Sequence, residues 1–319
     1  MKMFLHLRGN RMLTRIWAVL AGLAGLLTVS PAYAGVGMLQ QGENLYISDL
    51  SFAGGNTRWD VQRKKIPSIC KRRNLDLVQG YEYGYSYFHT IYATATLAYR
   101  HCGQINIPAR ISVRTGAVRR PAQTLLSGPS SGLGDIELGV RTRLNHHNTA
   151  AWEAFLIIPT GYDNNSPARL GRGALGLGAG LLFASRKRPV AVSPWGWKLG
   201  SRFTYFFSGK GNTIQSYATV NYAFSDSNFE QTGDFMSLSL RHSVSFARAG
   251  VAKNTFGTFS GAGRPTSVTN SDQLKLELGY SHAFGNGWST SLRGGKAFFG
   301  RNAPVDYFAG WGLNYRWRD

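Results

Sequence analysis

Between Asp135 and Leu144 the residues alternate, so Ile136, Leu138, Val140 and Leu144 project to one side of an extended strand and Asp135, Glu137, Arg141 and Arg143 to the other. The same two-residue alternation recurs about a dozen times along the chain. A cylinder of such strands, with hydrocarbon outside and water inside, satisfies both faces. The pattern therefore predicts an all-β, transmembrane, antiparallel up-and-down β-barrel of about 12 strands, of the outer-membrane type. No stretch after residue 34 approaches the roughly 18 consecutive apolar residues a spanning helix needs, which argues against a helical membrane protein.

Lys2, Arg8, Arg11 and Arg15 precede an apolar run from Ile16 to Val29, and Ala32-Tyr33-Ala34 supplies a small-x-small cleavage pattern. Residues 1–34 are expected to be a cleaved signal peptide and 35–319 a single outer-membrane barrel domain. Met12 with Arg15 could open a normal signal by itself, so Met1 and Met12 both stand as possible starts. Removing the four leader cations takes the formal charge from +20 to +16. In an exported chain that balance points to lipopolysaccharide phosphates or an anionic solute rather than nucleic acid, with solvated loop charge as the bland alternative.

Alternation and turn chemistry place strands at 44–54, 73–84, 88–102, 134–145, 150–160 and 173–184, then at 195–208, 213–224, 233–247, 271–284, 287–300 and 304–317. The connections sort themselves. Those at 55–72, 103–133, 161–172 and 248–270 are long, while 85–87, 146–149 and 285–286 are short, as expected for external loops and periplasmic turns. Both termini then lie in the periplasm. Trp152, Trp195, Trp197 and Trp288 begin strands and Trp317 ends the last one, which puts all five at the periplasmic interface where amphipathic rings collect.

Some positions resist the scheme. His242 and Lys296 fall on the lipid-facing register; Lys296 can extend its stem to head groups from the outer rim, but His242 cannot. The segment from Ile105 to Val118 also alternates and is read as a folded external loop, with an added strand or an extension of the third as alternatives. The only two cysteines, Cys70 and Cys102, are expected to be bridged in an exported protein. A tight turn centred on Ser86 sets residues 70 and 102 directly opposite each other, near disulfide distance.

Turning each polar face inward gathers Arg100, Arg141, Arg143, Lys198, Arg202, Arg241, Lys275, Arg293 and Arg316 around the lumen, against Asp76, Glu82, Asp135, Glu137, Glu153 and Glu277. A surplus of fixed positive charge favours anions, and guanidinium groups grip carboxylate or phosphate in two-pronged fashion. Opposed Arg and Glu rows can equally pair with one another and fill a narrow barrel. A second basic cluster, Arg58, Arg63, Lys64, Lys65, Lys71, Arg72 and Arg73, lies in an outer loop, where it could bind lipopolysaccharide phosphates or keep the loop solvated.

Enzymatic motifs are weak. None of His89, His101, His146, His147, His242 or His282 has Ser two residues on, as an outer-membrane phospholipase would require; a protease needs acids and His at the external rim, where Asp163 or Asp272 could serve, so an outer-membrane hydrolase is the lesser alternative. Gly171 to Gly176 matches a dinucleotide fingerprint but precedes an alternating strand instead of opening a helix. His146-His147 lies in a short turn without Cys or acidic companions, so no metal site is expected there. No cofactor and no catalytic residue is expected.

Gly132-Leu133-Gly134-Asp135 with Glu137, Gly139 and Arg141, then Ile158-Pro159-Thr160-Gly161 and the Gly-rich strand from Gly171, resemble the outer-membrane barrels called MetA-pathway-of-phenol-degradation proteins and their XagA-like relatives. Gly300-Arg301-Asn302 and the segment from Gly310 to Trp317 are similar too. The resemblance implies an outer-membrane barrel concerned with passage of small molecules, some relatives being tied to surface polysaccharide or biofilm. Arg318 and Asp319 follow Trp317 where such barrels usually end on an aromatic residue read by the assembly machinery, although the spacing of Gly312, Tyr315 and Trp317 still resembles that signal. The expectation is a porin-like, non-enzymatic channel in the outer membrane, passing small anionic or aromatic solutes. Its partners are expected to be membrane lipid, lipopolysaccharide and the barrel-assembly machinery. A plugged structural or polysaccharide-associated barrel is the alternative, and the solute's identity, the openness of the lumen and the oligomeric state stay open.

Overall fold

Hydrocarbon offers no hydrogen bonds, so strands that cross it must pair with one another and close without an edge. The computed structural model describes residues 37–107, 110–111, 118–120, 123–125, 129–161, 170–171, 173–185, 193–207, 211–224, 232–246, 271–284 and 286–318. In chain order the strands are β1 (Glu43–Trp59), β2 (Lys65–Gly84), β3 (His89–Ile107), β4 (Arg110–Ile111), β5 (Val118–Arg120), β6 (Gln123–Leu125), β7 (Ser130–Arg143) and β8 (Ala150–Ile158). Then come β9 (Gly176–Ala184), β10 (Trp195–Phe206), β11 (Asn212–Ala223), β12 (Thr232–Phe246), β13 (Ser271–Phe284), β14 (Trp288–Arg301) and β15 (Pro304–Arg318). The twelve long ones form a closed antiparallel barrel: each pairs with the next, and β1 pairs with β15. The expected signal peptide at 1–34, the expected loop from 248 to 270, and Asp163 lie outside the described residues.

The outer wall is apolar. Leu97, Leu138, Leu181, Leu199, Leu238, Leu278 and Leu292 are each about half exposed, as a band against lipid requires. At the end with the tight turns, rings gather: Tyr315 stacks on Trp317 with centroids 5.1 Å apart, Trp288 lies 4.3 Å from Tyr315, and Tyr81 lies 6.2 Å from Trp317. Local chemistry explains the tight turns. Between β7 and β8, the Asn145 Oδ1 accepts from Thr149 N at 3.0 Å while Asn148 takes a positive φ of 56°.

Three expectations change. The span 55–72 is no free loop: β1 and β2 run on as a hairpin to Trp59 and Lys65, closed by Asp60, whose Oδ1 accepts from the amides of Gln62 (2.8 Å) and Lys64 (2.9 Å). The segment 105–118 divides: Ile105 to Ile107 continue β3 and pair with β6, while β4 and β5 form a separate two-stranded sheet. The β2–β3 register also differs. Gly84 pairs with Thr90 and Arg72 with Cys102, so the hairpin is centred one residue beyond Ser86 and Cys70 faces Ile105 across a bulge. Cys102 is buried and disulfide-bonded, but Cys70 is not its register partner.

Candidate functional site

Lumen positions follow from register. Glu82 pairs with Tyr92 and Tyr92 with Gly139; Arg141 pairs with Glu153, Glu153 with Gly180, and Gly180 with Arg202. All of them face inward, and the side chains join into one chain of charges. Arg141 Nη1 meets Glu82 at 3.2 Å and Arg141 Nε meets Glu153 at 3.8 Å. Arg202 Nε meets the other Glu153 oxygen at 2.6 Å and its Nη2 pairs with Glu137. Glu153 and Arg202 reach each other across β9 because Gly180 leaves that strand bare; a Cβ there would lie 2.8 Å from the Glu153 Oε1. Tyr92 sits in the middle, its hydroxyl accepting from Arg202 at 3.2 Å and its ring 5.2 Å from the Arg141 guanidinium. Phe155 packs beneath Arg202 at 3.9 Å. A cavity of about 430 Å³ opens among these groups, with Lys198 and Tyr217 also on its wall.

Further luminal pairs lie on other strands. Arg241 meets Glu277 at 3.1 Å, Arg293 pairs with Asp49, Arg100 meets Asp76 at 2.5 Å, and Arg316 pairs with Glu43. Lys275 lies 5.6 Å from the Phe308 ring, and Arg143 lies 4.5 Å over Tyr87 at the tight-turn end. Asp135 lies at the register shift between β3 and β7, between Leu133 and Ile136, and does not line the cavity. Of the residues expected from sequence, Arg141, Arg202, Lys198, Glu82, Glu137 and Glu153 converge on one site; Arg100, Arg241, Lys275, Arg293, Arg316, Asp76 and Glu277 lie elsewhere in the bore. Glu43, Asp49 and Asp306 also lie on the luminal face, where Glu43 answers Arg316, Asp49 answers Arg293, and Asp306 and Arg72 act on Lys275 with opposite signs. The guanidinium groups are therefore largely answered from within the wall. Asp272, a candidate rim acid, is held by Arg63 at 3.3 Å and Arg301 at 3.5 Å.

Sequence reasoning also missed a segment. Residues 37–42 enter the lumen at the tight-turn end, where Met38 packs against Ala151, Leu182 and Ala184 and Leu39 is 2 % exposed. The Gly37 carbonyl accepts from Arg141 Nη1 at 3.0 Å, Leu39 N donates to Thr90 Oγ1 at 3.1 Å, and Gly42 N donates to the Gly84 carbonyl at 2.9 Å. The two adjacent apolar residues Met38 and Leu39 were the only signal.

Fold and lumen together define an outer-membrane β-barrel whose bore is lined by ion pairs. No protein-family model matches the chain, and neither does any curated protein sequence. Among solved structures, the COG4313 outer membrane channel from Pseudomonas putida F1 is similar in fold, with a TM-score of 0.61 at 12% identity over 91% of this chain and 100% of that one. The translocator domain of autotransporter NalP from Neisseria meningitidis (TM-score 0.45, 13% identity, 96% of this chain and 95% of that one) is a looser match.

Proposed function

We propose that this chain is an outer-membrane channel for passive passage of small solutes, with its selective constriction at the row Glu82, Arg141, Glu153, Arg202 and Glu137. The cavity of about 430 Å³ bounded by that row carries the reading. Its rings and charges suit a small aromatic molecule bearing a polar or anionic group: Tyr92 and Tyr217 bring rings to its wall, and guanidinium groups that already share carboxylates can exchange partners with a passing anion. Ion pairing within the wall makes the preference for anions mild. The long-loop end is taken to face outward and the termini the periplasm, with 1–34 acting as the export signal, insertion by the barrel-assembly machinery, lipopolysaccharide around the outer rim, and kinship with the MetA-pathway barrels. No covalent chemistry and no cofactor enter this reading.

The fold shared with the COG4313 channel supports it. The test is conductance of the purified full chain in planar bilayers, with reversal potentials in salt gradients and a panel of aromatic carboxylates added to one side. Discrete openings that the carboxylates interrupt are expected; absence of conductance, or strong cation selectivity, would overturn the proposal. Residues 37–42 inside the lumen favour a second reading, a plugged structural or surface-polysaccharide-associated barrel. That reading predicts no conductance from the intact chain.

A further inference from the structure

A basic row lies on the outer wall. Arg73 on β2, Gly54 on β1, Tyr307 on β15 and Lys296 on β14 are register partners across four adjacent strands. They share the outward face with Leu75, Phe52 and Leu292, and Tyr307 is 59% exposed. Lys296 Nζ lies 4.5 Å over the Tyr307 ring, and the Lys65 charge acts on the same phenol.

The height of this row follows from strand geometry. Tyr307 is ten residues from Trp317 on β15, about 33 Å along a strand, and a tilt of about 40° reduces that to about 25 Å, the height of the apolar band of such barrels. The row thus stands at the boundary between hydrocarbon and head groups, opposite the aromatic girdle. Toward the same end on other strands, described outward residues such as Phe207, Phe246 and Leu177 are apolar. A cation among hydrocarbon is costly, so two of them on one rung point to a phosphate partner at that depth.

The scaffold behind the row is fixed. Trp59, Ala297, Ala303 and Val305 form a buried cluster where the outer tips of the β1–β2 and β14–β15 hairpins meet. Arg63 and Arg301 clamp Asp272, and Arg63 also lies 4.2 Å over Phe299. Gly54 puts no side chain between Arg73 and Tyr307, leaving a dip in the row. From Arg73 to Lys296 is three strand spacings, about 14 Å, a span suited to a head group with a phosphate at each end of a disaccharide.

We infer that Arg73, Tyr307 and Lys296 form a binding site for the bisphosphorylated head group of lipopolysaccharide. Arg73 takes one phosphate, Lys296 with the Tyr307 hydroxyl takes the other, and the acyl chains lie on Phe52, Leu75 and Leu292. The inference rests on the proposed orientation, with the long loops outward, and not on the lumen conducting.

The test titrates the full chain in detergent with lipid A and with the same lipid enzymatically dephosphorylated, bound lipid being counted by native mass spectrometry. Wild type should hold the phosphorylated lipid at least about tenfold more tightly. The double variant R73A/K296A should lose that discrimination, and Lys296→Arg should keep it. Equal binding of the two lipids by wild type overturns the site without any variant; full discrimination by the double variant, shown folded by its heat-modifiable gel mobility, overturns the assignment of residues. Bilayer conductance of the same preparation reports separately on the channel, so a silent barrel that selects phosphorylated lipid A leaves the site standing.

Discussion

Glu153 answers two guanidinium groups at once, with Arg141 at 3.8 Å and Arg202 at 2.6 Å, and its side chain is only 4% exposed. Removing one partner of a buried pair strands the charge that remains, so Glu153→Ala should lower stability by about 1–3 kcal/mol, read as a lower temperature for heat modification on gels. The same change adds net positive charge to the constriction, and reversal potentials should move toward anion selectivity. Arg202→Ala should move them the other way, since Glu137 and Glu153 both lose a partner; matching shifts in one direction would refute the constriction assigned to this row. Parity alone made Arg141, Arg202 and Glu153 legible as luminal residues. Their partners were not, because the reach from Glu153 to Arg202 depends on the β9 register and on bare Gly180. Asp49 escaped for another reason: the luminal face of β1 also carries Leu45 and Ile47, so the contrast between its two faces is blurred.

At the level of strands, luminal rings lie flat against glycines of the neighbouring strand. Tyr92 pairs with Gly139, Phe155 with Gly178, Tyr217 with Gly200, and Phe308 with Gly295, and a Cβ at any of these glycines would come within 3.0 Å of the ring opposite. This pairing lets a barrel of moderate girth hold large aromatics and keep a cavity. Gly178→Ala should push Phe155 off the wall and away from Arg202, costing about 1–3 kcal/mol as overpacking does and reducing single-channel conductance. Unchanged conductance and heat stability would argue against the close packing. Alternation revealed the twelve long strands because burial is decided strand by strand. It failed at the long-loop end, where the Asp60 turn, not apolar patterning, extends β1 and β2 into a longer hairpin. The Cys70–Cys102 bridge belongs here too. Cys102 is bonded although its register partner is Arg72, and the ladder shifts register between Cys70 and Arg72, which turn-centred counting along the sequence does not foresee. Alkylation of envelope-derived protein without reductant should label neither cysteine, and labelling of both would exclude the bridge.

For the molecule as a whole, the decisive question is what residues 37–42 do to the bore. They run from Gly84 and Thr90 on the β2–β3 wall to Ala151, Leu182 and Ala184 on the β8–β9 wall, so they cross the lumen at the tight-turn end. Burying Met38 and Leu39 is worth about 1.5–3 kcal/mol each, and each hydrogen bond adds about 1 kcal/mol. At 1.4 kcal/mol per factor of ten, spontaneous release is rare. Either solutes pass beside the segment or it must be displaced for them to pass. Gly84 separates these cases, because a Cβ there would overlap the Gln40 carbonyl and its own carbonyl holds Gly42 N. Gly84→Val should therefore expel the segment while leaving the β-ladder of the barrel closed. If the segment obstructs the bore, conductance should rise several-fold in this variant and the gel-shift temperature should fall only slightly. If solutes already pass beside it, conductance should stay near the wild-type value, and the constriction is then the ion-paired row above. A variant that remains silent in bilayers while migrating as a folded barrel would overturn the channel reading, since expelling the segment would then open no path.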